Sequence, residues 1–149
     1  MSLDHIKIVP MSEEHIAALA AIEQQCFSTP WSAQSLREEL EIPSAVFRVA
    51  LVDGTVAGYM GMQDAGDVAY VCNIAVSPDY RRQGVATALI EAQCEIARLM
   101  MIRELSLEVR TSNREARALY EKIGFQYIGT RPHFYSHPSE NAEIYTLYL

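Results

Sequence analysis

The sequence predicts an α/β fold with a mixed, mostly antiparallel central sheet, one parallel β-α-β crossover and flanking helices. The chain has 149 residues, half of them apolar, which suffices for the core of one domain. Apolar residues recur at helical spacing in some segments and form β-branched runs in others. Residues 68–109 carry strand, helix and strand patterns in that order, which implies a parallel crossover. No repeat or low-complexity linker interrupts the sequence, so we expect one domain over residues 1–149.

Two helices are predicted near the N-terminus. Met1, Ser2 and Leu3 show no pattern typical of a fold, so ordered structure is expected to begin near His5. Ser12 is a candidate N-cap, and apolar residues follow it at helical spacing, namely Ile16, Leu19, Ala20, Ile22 and Cys26. A second helix is predicted over residues 32–41, with Ser32 as its N-cap, Trp31 and Leu36 as a hydrophobic staple, and Pro43 after its end.

Three strands are predicted next. Residues 45–52 form an apolar, β-branched run, and Asp53-Gly54 is a strong hairpin signal before a second strand at residues 56–62. Residues 68–76 are apolar enough for a strand near the centre of the sheet. Pro78 ends this strand.

The second half of the chain predicts two more helices and three more strands. A helix is expected over residues 84–99, followed by a strand at residues 105–109. Asn113 opens another helix, and Gly124 follows its last turn. Strands at residues 125–130 and 144–149 complete the sheet.

Composition narrows the possible partners. A net charge of −7 disfavours direct nucleic-acid binding, which normally depends on clustered Lys and Arg. An acidic surface suits a basic substrate, although an acidic balance more often serves solubility alone. No stretch approaches the roughly 18 consecutive apolar residues of a membrane span, and we expect a cytoplasmic protein without a membrane partner. The oligomeric state is not predicted.

Segment 73–87 carries the strongest functional signal. A buried strand leads through a glycine-containing turn into a helix, and the unpaired N–H groups at a helix N-terminus bind anions. Arg81 and Arg82 add positive charge at this turn, while Gly84 and Ala86 keep bulky side chains away. The alternative is a simple tight turn with two solvated arginines. Neither a P-loop nor a G-x-G-x-x-G fingerprint is present, which argues against ATP and NAD.

The pattern R-x-x-G-x-A at Arg81, Gly84 and Ala86 resembles the acetyl-CoA pyrophosphate loop of the GNAT superfamily of N-acetyltransferases. The resemblance covers most of the chain. In detail, the sequence is similar to the branch of ribosomal-protein-alanine N-acetyltransferases, RimI. Its further segments are residues 27–32, 73–76, 107–113, 118–125 and 131–135. The implied fold is the GNAT acyl-CoA N-acyltransferase fold.

The resemblance implies specific roles for residues in these segments. It implies that three strand residues hold the pantetheine and acetyl carbonyl through backbone groups, namely Ile74, Ala75 and Val76. It assigns the pyrophosphate to Arg81, Arg82, Gln83, Gly84, Val85, Ala86 and Thr87. Asn113 would contact the cofactor arm, although it is equally typical of a helix N-cap.

Two residues are predicted to be catalytic. Glu108 lies within an apolar strand on the face opposite Leu107 and Val109, where it could act as a base or simply face solvent. Tyr120 lies on the apolar stripe of the following helix, a position more typical of core packing. By resemblance, Glu108 is the general base and Tyr120 the general acid, without a covalent enzyme intermediate.

The expected reaction is acetylation of an N-terminal α-amine, with acetyl-CoA as co-substrate and a peptide N-terminus of a basic ribosomal protein as partner, its first residue expected to be alanine. Alternatives are an acetyltransferase acting on a lysine or a small-molecule amine, and a non-catalytic acyl-CoA-binding module.

No metal is expected, since the pair His133 and His137 has no helix to align it. Cys26, Cys72 and Cys94 have spacings that argue against disulfides and zinc, and Cys72 is interpreted as a packed thiol. Phe134 and Tyr135 are expected to border a peptide groove.

Overall fold

The computed structural model describes residues 5–149, so the expectation for Met1, Ser2 and Leu3 lies outside the described residues. The described chain forms seven strands: β1 (Ile6–Pro10), β2 (Ala45–Val52), β3 (Thr55–Asp64), β4 (Val68–Val76), β5 (Glu104–Arg110), β6 (Gln126–Tyr135) and β7 (Glu140–Tyr148). It also forms four α-helices: α1 (Ile16–Cys26), α2 (Ala33–Glu39), α3 (Val85–Leu99) and α4 (Arg114–Ile123).

The strands form one sheet with the order β1-β2-β3-β4-β5-β7-β6. The pair β4 and β5 is parallel, joined by the crossover helix α3, and the other neighbours are antiparallel. β4 is the middle strand, which confirms the central position predicted from its apolar sequence. The predicted mixed α/β fold class is therefore confirmed.

Helices cover both faces of the sheet, and each face has its own apolar core. On one face, α3 contributes Leu89 and Ile90 to a cluster with Met60, Leu105 and other strand residues. On the other face, helices α1 and α2 pack over β2, β3 and β4, through Ile16, Leu19, Ile22 and Leu36. Strands β5, β6 and β7 contribute no residue to that second core. Their face on this side is left accessible beside the helices.

β4 and β5 separate soon after they begin to pair. Their parallel register covers only Val68–Tyr70 opposite Glu104–Ser106. β4 also contains a bulge, because Gly61 lies opposite Asn73 while Met62 lies opposite Val71, which leaves Cys72 without a partner on β3. The bulge and the early separation open a gap in the middle of the sheet, beside the start of α3.

The structure corrects some element boundaries. β1 was not predicted, since five residues give a weak signal and the strand is defined by its antiparallel pairing with β2. The segment around residues 133–143, predicted as a loop, instead extends β6 to Tyr135 and starts β7 at Glu140. Arg110 holds the intervening turn by donating hydrogen bonds to the carbonyl oxygens of Ser136 and Pro138. This long-range contact has no signature in the local sequence.

Candidate active site

The turn between β4 and α3 has the geometry of an anion site. Gly84 precedes the helix with a left-handed φ of 85°, a conformation that favours glycine. The first intrahelical bond runs from the Ala88 N–H to the Gly84 carbonyl, so the preceding amides of the first turn have no acceptor within the helix. N–H groups in this arrangement and the positive end of a helix dipole favour a bound anion.

A cleft of about 470 Å³ lies against this turn. It is lined by almost all the residues predicted to bind the cofactor, namely Ile74, Ala75, Val76, Arg81, Arg82, Gly84, Val85, Ala86, Thr87 and Asn113. Gln83 does not line it; its side-chain amide lies 3.5 Å from the Asp79 carbonyl oxygen. The residues present fit a long, negatively charged cofactor with an apolar arm.

The two arginines of the turn differ in their surroundings. Arg81 is directed back to the end of β4, where Nε donates to the Val76 carbonyl oxygen and Nη2 lies 3.4 Å from the Cys26 sulfur. Arg82 is exposed and adopts a left-handed φ of 62°. Arg82 is therefore the more available of the two for a phosphate, while Arg81 also braces α1 against β4.

A second cleft, of about 630 Å³, lies on the accessible face of β5. Glu108 lines it. The side chains of the neighbouring Leu107 and Val109 are buried in the core on the α3 side of the sheet, as the strand alternation predicted. Arg131 of β6 places Nη1 3.4 Å from Glu108 Oε1. The Glu108 side chain is 32% exposed, so its carboxylate is accessible from the cleft. Phe134 and Tyr135 line the same cleft, in agreement with the expected groove.

The two clefts meet at a small set of shared residues: Cys26, Phe27, Ile74, Asn113 and Tyr120. Tyr120 is almost fully buried and packs against Phe125 and Tyr145. Burial, with a smaller effect from Tyr135, raises the pKa of Tyr120 above its usual value. Its hydroxyl therefore stays protonated at neutral pH.

Asn113 is a helix N-cap that also lies at the clefts. Its Oδ1 accepts a hydrogen bond from the Ala116 N–H, which makes it the N-cap of α4. It also lines both clefts. The cap fixes the orientation of α4, which carries Tyr120.

Glu23 was not predicted as a functional residue, yet it lines the second cleft. The sequence placed it in an ordinary amphipathic helix. In the structure it is wholly buried, and burial raises the pKa of its carboxyl above the usual value, against the opposing effect of hydrogen bonds from Trp31, Tyr59 and Asn73. A glutamate next to the apolar Ile22 on the inner face of α1 was the available signal.

The polar residues near β7 are engaged within the protein. Glu140 accepts hydrogen bonds from Arg110 and from the Ser112 N–H. Glu143 accepts from the hydroxyls of Thr111 and Thr130. No group of three or more potential metal ligands occurs among residues 5–149. Within the same part of the chain, none of the helices has both the length and the apolar character needed to cross a membrane.

Cys72 lines the second cleft but has the properties of a packed thiol. Burial, with a smaller effect from Glu39, raises the pKa of its thiol to about 11. The thiolate, which is the nucleophilic form, is therefore scarce at neutral pH. This supports the interpretation that Cys72 has no covalent role.

Comparisons with known proteins agree with this geometry. A model of the acetyltransferase (GNAT) family matches residues 16–125. A Bacillus subtilis relative, provisionally named a ribosomal protein bS18-alanine N-acetyltransferase, is 39% identical over 135 residues, covering 90% of this chain and 89% of the relative. The Escherichia coli K12 protein named ribosomal protein bS18-alanine N-acetyltransferase is 36% identical over 114 residues, covering 76% of each chain.

Solved structures give the same result. The crystal structure of the ribosomal-protein-S18-alanine N-acetyltransferase from Escherichia coli superposes with a TM-score of 0.87 at 32% identity, over 96% of this chain and 93% of that one. Ard1 from Thermoplasma volcanium has a TM-score of 0.89 at 28% identity, over 97% and 98%. The resemblance seen in the sequence is confirmed. The chain belongs to the GNAT family of acetyltransferases and is an acetyl-CoA-dependent N-acetyltransferase.

Proposed function

We propose that this enzyme acetylates the N-terminal α-amine of a protein, with Glu108 as general base and Tyr120 as general acid. One observation carries the proposal: the cleft beside the α3 N-terminus and the cleft that contains Glu108 meet at Tyr120. A cofactor and a peptide that enter from opposite sides would therefore place their reacting groups at one point.

The cofactor side is formed by the turn before α3 and by the exposed edge of β4. Acetyl-CoA would supply a thioester whose carbonyl carbon is open to attack by an amine. Arg82 and the amides of Val85, Ala86 and Thr87 would hold the diphosphate. The Ser77 N–H donates to Ala57 of β3, so the preceding Val76 N–H points away from β3, toward the gap. The Val76 N–H is the candidate donor to the carbonyl oxygen as it gains charge.

Glu108 would remove the proton that makes the amine unreactive. At pH 7, deprotonating an α-amine with a pKa near 7.8 costs about 1 kcal/mol, against about 4.6 kcal/mol for a lysine with a pKa near 10.4. A carboxylate base, directly or through water, suits the easier task. Tyr120 would then protonate the departing sulfur, because it lies where the two clefts meet, beside the expected position of the thioester.

The preferred target is the N-terminal alanine of ribosomal protein bS18. Relatives named for this activity are 36–39% identical to the chain over most of its length. The cleft beside Glu108 is lined by aromatic rings, including Trp31, Phe134 and Tyr135, which suits an extended peptide better than a small amine. With a ribosomal substrate, the reaction would take place in the cytoplasm.

The test compares three acceptors at equal concentration with acetyl-CoA. They are a peptide that begins with alanine, the same peptide with a blocked α-amine and an internal lysine, and spermidine. Mass spectrometry is expected to show a gain of one acetyl group on the first acceptor alone. Preferred acetylation of the lysine peptide or of spermidine would contradict the proposal and favour the alternative substrates.

A further inference from the structure

A buried polar cluster connects α1 to the middle of the sheet. It consists of Glu23, Tyr59 and Asn73, which come from α1, β3 and β4. The exposed fraction of Glu23 is 0%. Burying a carboxylate is costly unless its oxygens are hydrogen-bonded, so the contacts of this residue need an explanation beyond helix packing.

The Glu23 carboxylate acts as the acceptor in each hydrogen bond of this side chain. Oε2 accepts from the Tyr59 hydroxyl at 2.8 Å and from Asn73 Nδ2 at 2.6 Å. Oε1 accepts from the Trp31 N–H at 2.8 Å. The Asn73 Oδ1 atom accepts from the Ile74 N–H at 3.0 Å. The orientation of the Asn73 amide is therefore defined, because its nitrogen faces the Glu23 carboxylate and its oxygen faces the Ile74 N–H.

These contacts join two walls of the reaction site. Trp31 lies in the segment between α1 and α2 that lines the second cleft. Asn73 lies at the β4 bulge, and Ile74 beyond it lines both clefts. The Glu23 carboxylate thus holds the segment around Trp31, which lines the second cleft. Through Asn73 it also fixes the orientation of the Ile74 N–H group.

We infer that Glu23 is a positioning residue for acetyl transfer. It acts through Asn73 and Trp31 to align the β4 backbone with the segment around Trp31 that lines the second cleft. The inference rests on the proposed function, because it assigns this alignment to the meeting point of cofactor and amine. Small displacements of reacting groups cost rate, up to about 100-fold for 1 Å. The cluster is thus expected to affect turnover more than cofactor affinity.

The experiment reverses the hydrogen-bond polarity of the cluster. Glu23→Gln places an amide N–H2 against donors, and Asn73→Asp places two carboxylates together. In Glu23→Gln/Asn73→Asp, the new amide donates to the new carboxylate. The Tyr59 hydroxyl, which lies 3.1 Å from Asn73 Nδ2 in the wild type, can donate to the same carboxylate. The Trp31 and Ile74 N–H groups keep an oxygen as acceptor. Each single variant is expected to lower kcat about 10-fold or more, and the double variant to recover most of that loss.

The readouts separate positioning from mere stability. Kinetics are measured below the melting temperature of every variant, with CoA affinity by calorimetry and the Ile74 amide resonance by NMR. CoA affinity is expected to change little, while the Ile74 resonance shifts in the single variants and returns in the double variant. Glu41→Gln, at an exposed site on the segment after α2, is the matched control. Lower melting temperatures with unchanged kcat would overturn the inference, as would a double variant no better than the singles.

A milder variant covers the case in which the single variants do not fold. Tyr59→Phe keeps the ring that stacks on Phe47 and removes one donor to Glu23. It is expected to lower kcat about 3-fold or more, and an unchanged kcat would overturn the inference. The wild-type acceptor is determined first, and the variants are assayed with it. A wild-type preference for lysine or spermidine would then contradict the proposed function, while the response of the variants still decides the role of Glu23.

Discussion

The two clefts are built in different ways. The cleft beside α3 takes most of its lining from one continuous segment, residues 74–87, in which a strand runs through a turn into a helix. The cleft beside Glu108 is assembled from separate parts: α1 with the segment after it, β4, β5, and the end of β6. The cleft beside α3 is thus encoded locally, whereas the cleft beside Glu108 depends on long-range packing. The difference predicts where a substitution affects kcat and where it affects cofactor affinity.

The largest effect is expected at the base. Glu108→Gln keeps the size of the side chain but removes the proton acceptor, so kcat is expected to fall about 100-fold or more. Affinity for CoA is expected to be unchanged, since Glu108 lines only the second cleft. Steady-state kinetics and calorimetry measure the two quantities. Glu104→Gln, on the same face of β5 but outside both clefts, is the control. Equal rates for the wild type and Glu108→Gln would remove the base assignment.

A smaller loss is expected at the junction of the clefts. Tyr120→Phe keeps the packing on Phe125 and Tyr145 but removes the proton donor, so kcat is expected to fall about 10- to 100-fold. Tyr148→Phe, at an exposed tyrosine of β7, is the control and should leave kcat unchanged. The assignment is contradicted if Tyr120→Phe has the same kcat as this control.

On the cofactor side, Gly84→Ala is expected to raise the KM for acetyl-CoA several-fold and to lower stability. A side chain in the left-handed conformation costs about 1–2 kcal/mol, which in a chain of this size corresponds to a fall in Tm of about 2–8 °C. Gly129→Ala is the matched control, because Gly129 has open space around its Cα and no left-handed φ. Similar KM values for acetyl-CoA in the two variants would contradict the proposal that the turn before α3 binds the diphosphate of the cofactor.

The same contrast explains how much the sequence could predict. The turn at Arg81 to Gly84 and the cap at Asn113 are local features, and the pattern alone predicted both. Glu108 could be placed on the correct face of β5, because alternation along a strand is also local. The position of Glu23 on the inner face of α1 was a local signal, but its role could not be predicted, because its partners Tyr59 and Asn73 are 36 and 50 residues away in the chain. The extension of β6 was missed for the same reason, since Arg110 holds its turn from another strand.

The smallest effect is expected at Cys72, which lines the cleft beside Glu108 and for which we expect no chemical role. Because burial raises the pKa of its thiol to about 11, only about one molecule in 1,000 would carry the thiolate at pH 8, compared with about a quarter for an ordinary thiol of pKa 8.5. Alkylation by iodoacetamide, followed by peptide mass spectrometry, is therefore expected to be slow at pH 8. The rate should rise about 10-fold for each pH unit up to about pH 10.

Cys72→Ala tests the same point by activity, and kcat/KM is expected to stay within about threefold of the wild-type value, since the side chain is lost only from the wall of the cleft. Rapid alkylation at pH 8, together with a large loss of kcat in Cys72→Ala, would indicate a reactive thiolate and a covalent route. Slow alkylation with retained activity would instead exclude Cys72 as a nucleophile, and would show that a residue can line the assembled cleft without taking part in the reaction.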